Sequence, residues 1–281
     1  MRFFNNVILE QNVITRPFFH MDEIETIHED TLKNMDTELN VPSDVLDSFN
    51  IKDELCPAIW ENDKLKPEVQ KKLMRIALDF FNSLELEGTK IHDVLLVGSL
   101  GNYNWSKFSD VDLHIVVDFN EFAESPDIIK KYFDAQKNHF NANHNIIIKH
   151  FPVEIYVQDK HEKLDAAAIY SVAQNKWKSK PEKTNFKLDK TLVKRKVENI
   201  FDIIKHIKKD YNNKKYDNSV KNIEKLKEQI KKMRKSGLEK GGEYSIENIV
   251  FKILRRTDVL EILDTLKNNA YDKTVSLNEK K

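Results

Sequence analysis

A single cysteine, Cys56, stands among 281 residues. That excludes an internal disulfide and a cysteine-built zinc site, and it suits a reducing compartment. No apolar run is long enough to span a bilayer. The opening residues Met1-Arg2-Phe3-Phe4-Asn5-Asn6 lack the continuous apolar core of a secretion signal. The sequence therefore reads as a soluble, cytoplasmic protein. Nine histidines, His114, His144 and His150 among them, show no paired spacing of the His-Glu-x-x-His kind and read as structural or surface groups. The Gly-rich lysine loop of phosphate-loop ATPases is missing, and so is any internal repeat.

What is present suffices for a sizeable core divided into two or three lobes: 40% apolar and 10% aromatic residues, with 33% charged. Net charge is zero, but from unlike parts. Residues 1–65 carry 14 acids and 5 bases, a net of −9, whereas residues 183–281 carry 26 bases and 15 acids, a net of +11. The acidic front and basic end imply either mutual contact or a basic surface that meets a polyanion; a solvated lysine-rich face is the plain alternative for any single lysine.

Periodicity predicts a helix from near Met21, a break at Asn40-Val41-Pro42-Ser43, and a loop at Pro57–Asp63 in which Trp60 pins the N-terminal arm to the core. Lys66-Pro67-Glu68 opens a long helix whose apolar face runs through Val69, Leu73, Ile76, Ala77, Phe80 and Leu84, with Glu87-Gly88 ending it. Val94–Val97 reads as a short buried strand, Asp110–Phe119 as the next, and 126–140 as a helix entered at Ser125-Pro126. Ile146–Ile148 and Val153–Val157 are two more strands, turned at His150-Phe151-Pro152. From about Asp189 only helices are predicted, with Gly237 and Gly241-Gly242 as turn signals and Ser245 as a cap.

The chemistry gathers between two of these strands. Leu96-Val97-Gly98-Ser99 is an apolar strand entering a tight turn, and Asp110-Val111-Asp112-Leu113 follows ten residues later. Two acids two residues apart share one face of a strand. Carboxylates set in such an apolar strand are costly unless they are paired or bind a metal. Glu154, inside Val153-Glu154-Ile155-Tyr156-Val157, is a third, with Pro152 and Tyr156 on its own face. Pairing of its strand with the Asp110 strand would bring all three together; otherwise it is an edge-strand acid facing water. A Gly-Ser bend able to approach phosphates, beside carboxylates able to hold a divalent cation, is what nucleotidyl transfer requires.

These residues resemble the signature of the DNA polymerase β-type nucleotidyltransferase superfamily, and Ser109 directly before Asp110 matches a variant of that pattern. A longer likeness is to nucleotidyltransferases carried by large bacteriophages. It rests on Ile59-Trp60, Leu65–Val69, Gly98–Trp105, Ser109–His114, Val153–Val157, Tyr170-Ser171, Gly242–Ser245 and Phe251–Arg256, and spans roughly residues 55–275. With the element pattern, the chain reads as an α+β fold: a small mixed-sheet nucleotidyltransferase catalytic lobe at 66–186, a basic all-helical lobe at 187–281 that closes the nucleotide cleft, and a mostly helical N-terminal arm at 1–65 packing on the core. The resemblance implies that Asp110, Asp112 and Glu154 bind two Mg²⁺ ions, or Mn²⁺, and that an NTP, ATP foremost, donates its nucleotidyl group to a hydroxyl. Gly98 and Ser99 would meet the phosphates, and Glu154 could also take the proton.

Other positions keep two readings. Lys107 can reach a triphosphate or be a solvated loop residue. Tyr103 and Trp105 can stack on a base or pack in the core. Tyr170 and Ser171 contact nucleotide by the resemblance, with packing or capping as the rival. Lys252 and Arg256, four apart on one helix face, can meet phosphate or water. The acceptor stays open between RNA, a second nucleotide, and a protein or small-molecule hydroxyl. A non-catalytic nucleotide-binding module is the rival of another class.

Overall fold

The computed structural model describes residues 41–86, 88–164 and 166–277. The helix expected near Met21 and most of the acidic N-terminal segment lie outside the described residues, as does Glu87. The described chain is α+β, with a six-stranded mixed sheet and a two-stranded one. It divides into two compact units, Ser43–Asp189 and the helices from Lys190 onward.

The first unit starts with the short helix α1 (Ser43–Asp47) and a hairpin of β1 (Trp60–Glu61) and β2 (Lys64–Leu65). Asn62 and Asp63 both take positive φ between these strands, the backbone that a two-residue hairpin loop needs. Residues 43–65 belong to this unit: Leu55, Ile59, Trp60 and Leu65 lie in its core. Buried Trp60 donates from Nε1 to the Leu100 carbonyl at 2.7 Å and stacks on Trp177, centroids 4.8 Å apart.

Helix α2 (Pro67–Ser83) has proline in its first turn, where no N–H is missed. It buries Val69, Leu73, Ile76, Ala77, Phe80 and Phe81, and ends before the expected Glu87-Gly88. Strand β3 (Asp93–Val97) is buried throughout. β4 (Val111–Val117) follows, then α3 (Pro126–Asn143), β5 (Ile147–Ile148), β6 (Phe151–Asp159), β7 (Ile169–Ser171) and β8 (Lys176–Ser179). The sheet order is β5-β6-β4-β3-β7-β8. β4 and β6 are parallel, their crossover carrying α3; the other neighbours are antiparallel.

The turn expected at His150-Phe151-Pro152 sits at Lys149-His150, both with positive φ. Phe151 and Pro152 already belong to β6. Pro152 fits because the ladder bond there runs from the Val153 N–H to the Ile146 carbonyl, so the missing donor is not called on. Beyond β5 the rim of β6 is covered by α3. The Asn141 side chain donates to the Ile155 carbonyl at 3.2 Å and accepts from the Ile155 N–H at 3.1 Å, as a neighbouring strand would.

Alternation along β4 divides the layers. Val111, Leu113, Ile115 and Val117 join α2 and α3 in the main core. Asp112 and His114 take the opposite face and are only partly buried. The polar positions of the sheet are therefore collected on the side away from the helices.

The second unit contains α4 (Lys190–Asn212), α5 (Tyr216–Gly241), α6 (Ile246–Arg256) and α7 (Val259–Val275). Its apolar faces are those the periodicity gives: Val193, Val197, Ile200, Phe201, Ile204 and Ile207 on α4, and Ile223, Leu226 and Ile230 on α5. Gly237, expected at a turn, lies within α5 instead. A Cβ there would come 2.6 Å from Glu247 Cβ and 2.8 Å from Ser245 Oγ, so this glycine permits a close approach of α6. Ser245 caps α6, accepting from the Asn248 N–H. Among the described residues no helix is long and apolar enough to cross a membrane.

Candidate functional site

Register builds the site. Val97 of β3 lies opposite Asp112 of β4, and Asp112 is level with Glu154 of the parallel β6. Side chains level on neighbouring strands project from the same face about 5 Å apart. Asp110, one residue ahead of β4, completes the group. One carboxylate oxygen from each of Asp110, Asp112 and Glu154 lies within 4.8 Å of the others. All three residues are partly buried. Ionised carboxylates at such spacing repel one another by roughly 3–4 kcal/mol per pair at an effective dielectric of about 20. A divalent cation would convert that repulsion into attraction.

Gly98 follows Val97 and closes one side. Its φ of +75° is costly for a residue with a side chain. A Cβ there would stand 1.9 Å from Asp112 Oδ2, so the carboxylate occupies the space any other residue would fill. Ser99 begins the short turn Ser99–Gly101. Its hydroxyl shares a 2.7 Å hydrogen bond with the Ser109 hydroxyl, which also accepts from the Ser106 N–H at 3.0 Å. Gly98, Ser99 and Ser109 are thus tied to the segment that carries Asp110 and Asp112.

In the sequence, the two-residue period of the strand puts Tyr156 on the face of Glu154 but gives it no role. Its hydroxyl donates to Glu154 Oε2 at 2.7 Å. Burial, and then the charges of Glu154, Asp112 and Asp110, push this phenol far above its usual range, so it stays a donor. The Tyr156 ring lies 5.0 Å from that of His114 and has Lys137 Nζ 4.6 Å from its centroid. His114 Nδ1 meets Gln158 Oε1 at 2.9 Å, and burial pushes the His114 imidazole below its ordinary pKa.

The other residues expected at the site have partners of their own. Tyr170 is fully buried on the helix side of the sheet, edge-on to Trp60 and Trp177, and its hydroxyl donates to Asn175 Oδ1 at 2.6 Å. Its side chain is packed within the core. Ser171 is also fully buried and donates to Asp93 Oδ1 at 2.7 Å, while Lys178 meets the other oxygen of that carboxylate. A three-residue strand gives too short a pattern to reveal either placement. Lys107 Nζ pairs with Asp44 at 2.8 Å. Trp105 donates to the Glu54 carbonyl at 2.9 Å, and the Tyr103 carbonyl accepts from the Lys52 N–H at 2.7 Å. The Trp105 side chain and the Tyr103 backbone thereby fasten residues 52–54 to the loop. Lys252 and Arg256 lie in the helical unit, where Lys252 meets Glu243 at 2.8 Å.

No family model matches this chain, and no curated protein matches it. Among solved structures it is similar to a STING-associated CdnE c-di-GMP synthase from Capnocytophaga granulosa. Identity is 14%, over 89% of this chain and 94% of that one, with a TM-score of 0.20. So poor a superposition transfers neither fold nor activity.

Proposed function

We propose that this protein is a metal-dependent nucleotidyltransferase, moving the nucleotidyl group of an NTP, ATP foremost, to a hydroxyl acceptor with release of pyrophosphate. The reading is carried by one observation: the carboxylates of Asp112 on β4, Asp110 just before it and Glu154 on β6 converge within 4.8 Å beside a glycine bend that any Cβ would obstruct. The resemblance of the sequence to DNA polymerase β-type and bacteriophage nucleotidyltransferases supports it.

The donor set fits a hard cation, since all three ligands are carboxylate oxygens. Asp110, Asp112 and Glu154 would hold two Mg²⁺ ions, or Mn²⁺. Bound there, the cations would neutralise triphosphate charge and make the acceptor hydroxyl more acidic. Gly98 lets the Asp112 carboxylate close against the backbone at the bend, and Ser99, steadied by Ser109, offers the phosphates its hydroxyl. The acceptor oxygen bonds to the α-phosphorus in line, the bond to the bridging oxygen breaks, and pyrophosphate leaves with that electron pair. The hydroxyl proton passes to Glu154. Positioning and charge neutralisation supply most of the rate. RNA as acceptor is supported by the +11 charge of residues 183–281.

Incubation of the full chain with each NTP and Mg²⁺, resolving all products, tests the reading. Pyrophosphate release with a labelled polymer is the expected result. Soluble di- or trinucleotides would assign an oligonucleotide synthase, and a labelled protein or small molecule would move the acceptor there. Nucleotide binding without pyrophosphate release, or activity that survives Asp110→Ala with Asp112→Ala, overturns the proposal.

A further inference from the structure

We propose that Tyr156 is a positioning residue, holding Glu154 in the geometry that binds a divalent cation; this rests on the three-carboxylate reading above. Glutamate has three side-chain torsions, and beside two like charges an untethered Glu154 gains by swinging toward water. Fixing so flexible a side chain costs up to about 1.5–2 kcal/mol in rotamer freedom. The Tyr156 hydroxyl opposes this with a charge-assisted bond of 2.7 Å to Oε2. That bond still leaves Oε1 for a cation.

The tether is itself anchored. Tyr156 lies two residues along the same strand, so its ring stands on the face that bears Glu154. The ring is flanked by the His114 imidazole, and by Lys137 Nζ 4.6 Å from its centroid. Lys137 is steadied by Asp134 at 2.9 Å. One helical turn further along α3, Asn141 bonds both backbone groups of Ile155, the residue between Glu154 and Tyr156. Helix α3 therefore fixes the strand and the ring together, and the ring fixes the carboxylate. Hydrogen-bond partners of metal ligands commonly work in this way, orienting a ligand they do not replace.

Mn²⁺ affinity of the full-length protein, read from the electron paramagnetic resonance signal of free Mn²⁺, tests this without an activity assay. Tyr156→Phe keeps the ring and removes the donor; it is expected to weaken Mn²⁺ binding roughly tenfold. In a Glu154→Gln background the same change should have no further effect, because the tyrosine acts through that carboxylate. Lys137→Gln, which frees the ring and leaves the hydroxyl, should weaken binding in the same direction by less, and it stands in if Tyr156→Phe does not fold. Unchanged Mn²⁺ affinity in these variants overturns the positioning role while leaving the carboxylate site intact. An equal loss with and without Glu154→Gln also overturns it, since Tyr156 would then matter only to packing. Wild-type protein that binds no Mn²⁺ overturns the site itself.

Discussion

At the scale of single residues, Gly98 carries the sharpest expectation. Gly98→Ala sets a methyl group 1.9 Å from Asp112 Oδ2 and forces a side chain into positive φ. The backbone term alone costs roughly 1–3 kcal/mol. Thermal unfolding should show a loss at least that large, with Mn²⁺ affinity falling alongside. Asp112→Asn should abolish the stabilisation that added Mg²⁺ gives the wild type. Differential scanning calorimetry with and without Mg²⁺ measures this. The glycine bend and the Asp110–Asp112 spacing were legible in the sequence because each is a local pattern. Tyr156 had its face assigned but not its partner, since a hydrogen bond between side chains two residues apart leaves no mark in hydropathy. Tyr170 could be judged only with Trp60 and Trp177 in place, and the contact with Trp60 joins residues more than a hundred positions apart.

At the scale of elements, strand periods and apolar helix faces were legible and pairing was not. Val94–Val97 reads as a buried strand because every residue is apolar, yet nothing local says that β6 runs parallel to β4. That pairing decides whether Glu154 meets Asp112. β7 and β8 escaped the pattern because strands of three and four residues barely complete two periods. Gly237 looked like punctuation, but glycine also serves where two helices touch, and only the position of Glu247 distinguishes the two uses. The far ends of β4 and β6 are joined by Asp118, whose carboxylate meets Lys160 and accepts the Asn120 N–H at 3.0 Å. Lys160 first, then that backbone bond, holds the carboxyl below its ordinary 3.8. A carboxyl lowered in the folded state stabilises fully above the unfolded value, and the benefit fades as pH falls through the folded one. Melting temperatures between pH 6 and pH 3 should accordingly fall less steeply for Asp118→Asn than for the wild type, from a lower starting point at neutral pH.

For the whole molecule, the zero net charge conceals a division that matters for what it meets. If residues 183–281 engage RNA, log affinity should fall linearly with log salt, each neutralised phosphate contributing a slope of about −0.7 on a single strand. Titrations from 50 to 300 mM KCl measure it, and a flat line, or no binding at low salt, removes RNA as acceptor. The acidic front was legible only as composition. One small contact bears on whether the protein stays soluble at all. An open sheet margin is an invitation to the next chain, and here Asn141 answers for a strand that was never made. Its amide fills both backbone bonds at Ile155, so a second copy arriving along that rim finds no free pair at this residue. Replacing that amide by leucine should uncover the rim and let concentrated protein self-associate, visible as a concentration-dependent rise in mass by light scattering. What looks like a detail of helix docking thus also occupies a place where another strand could have paired.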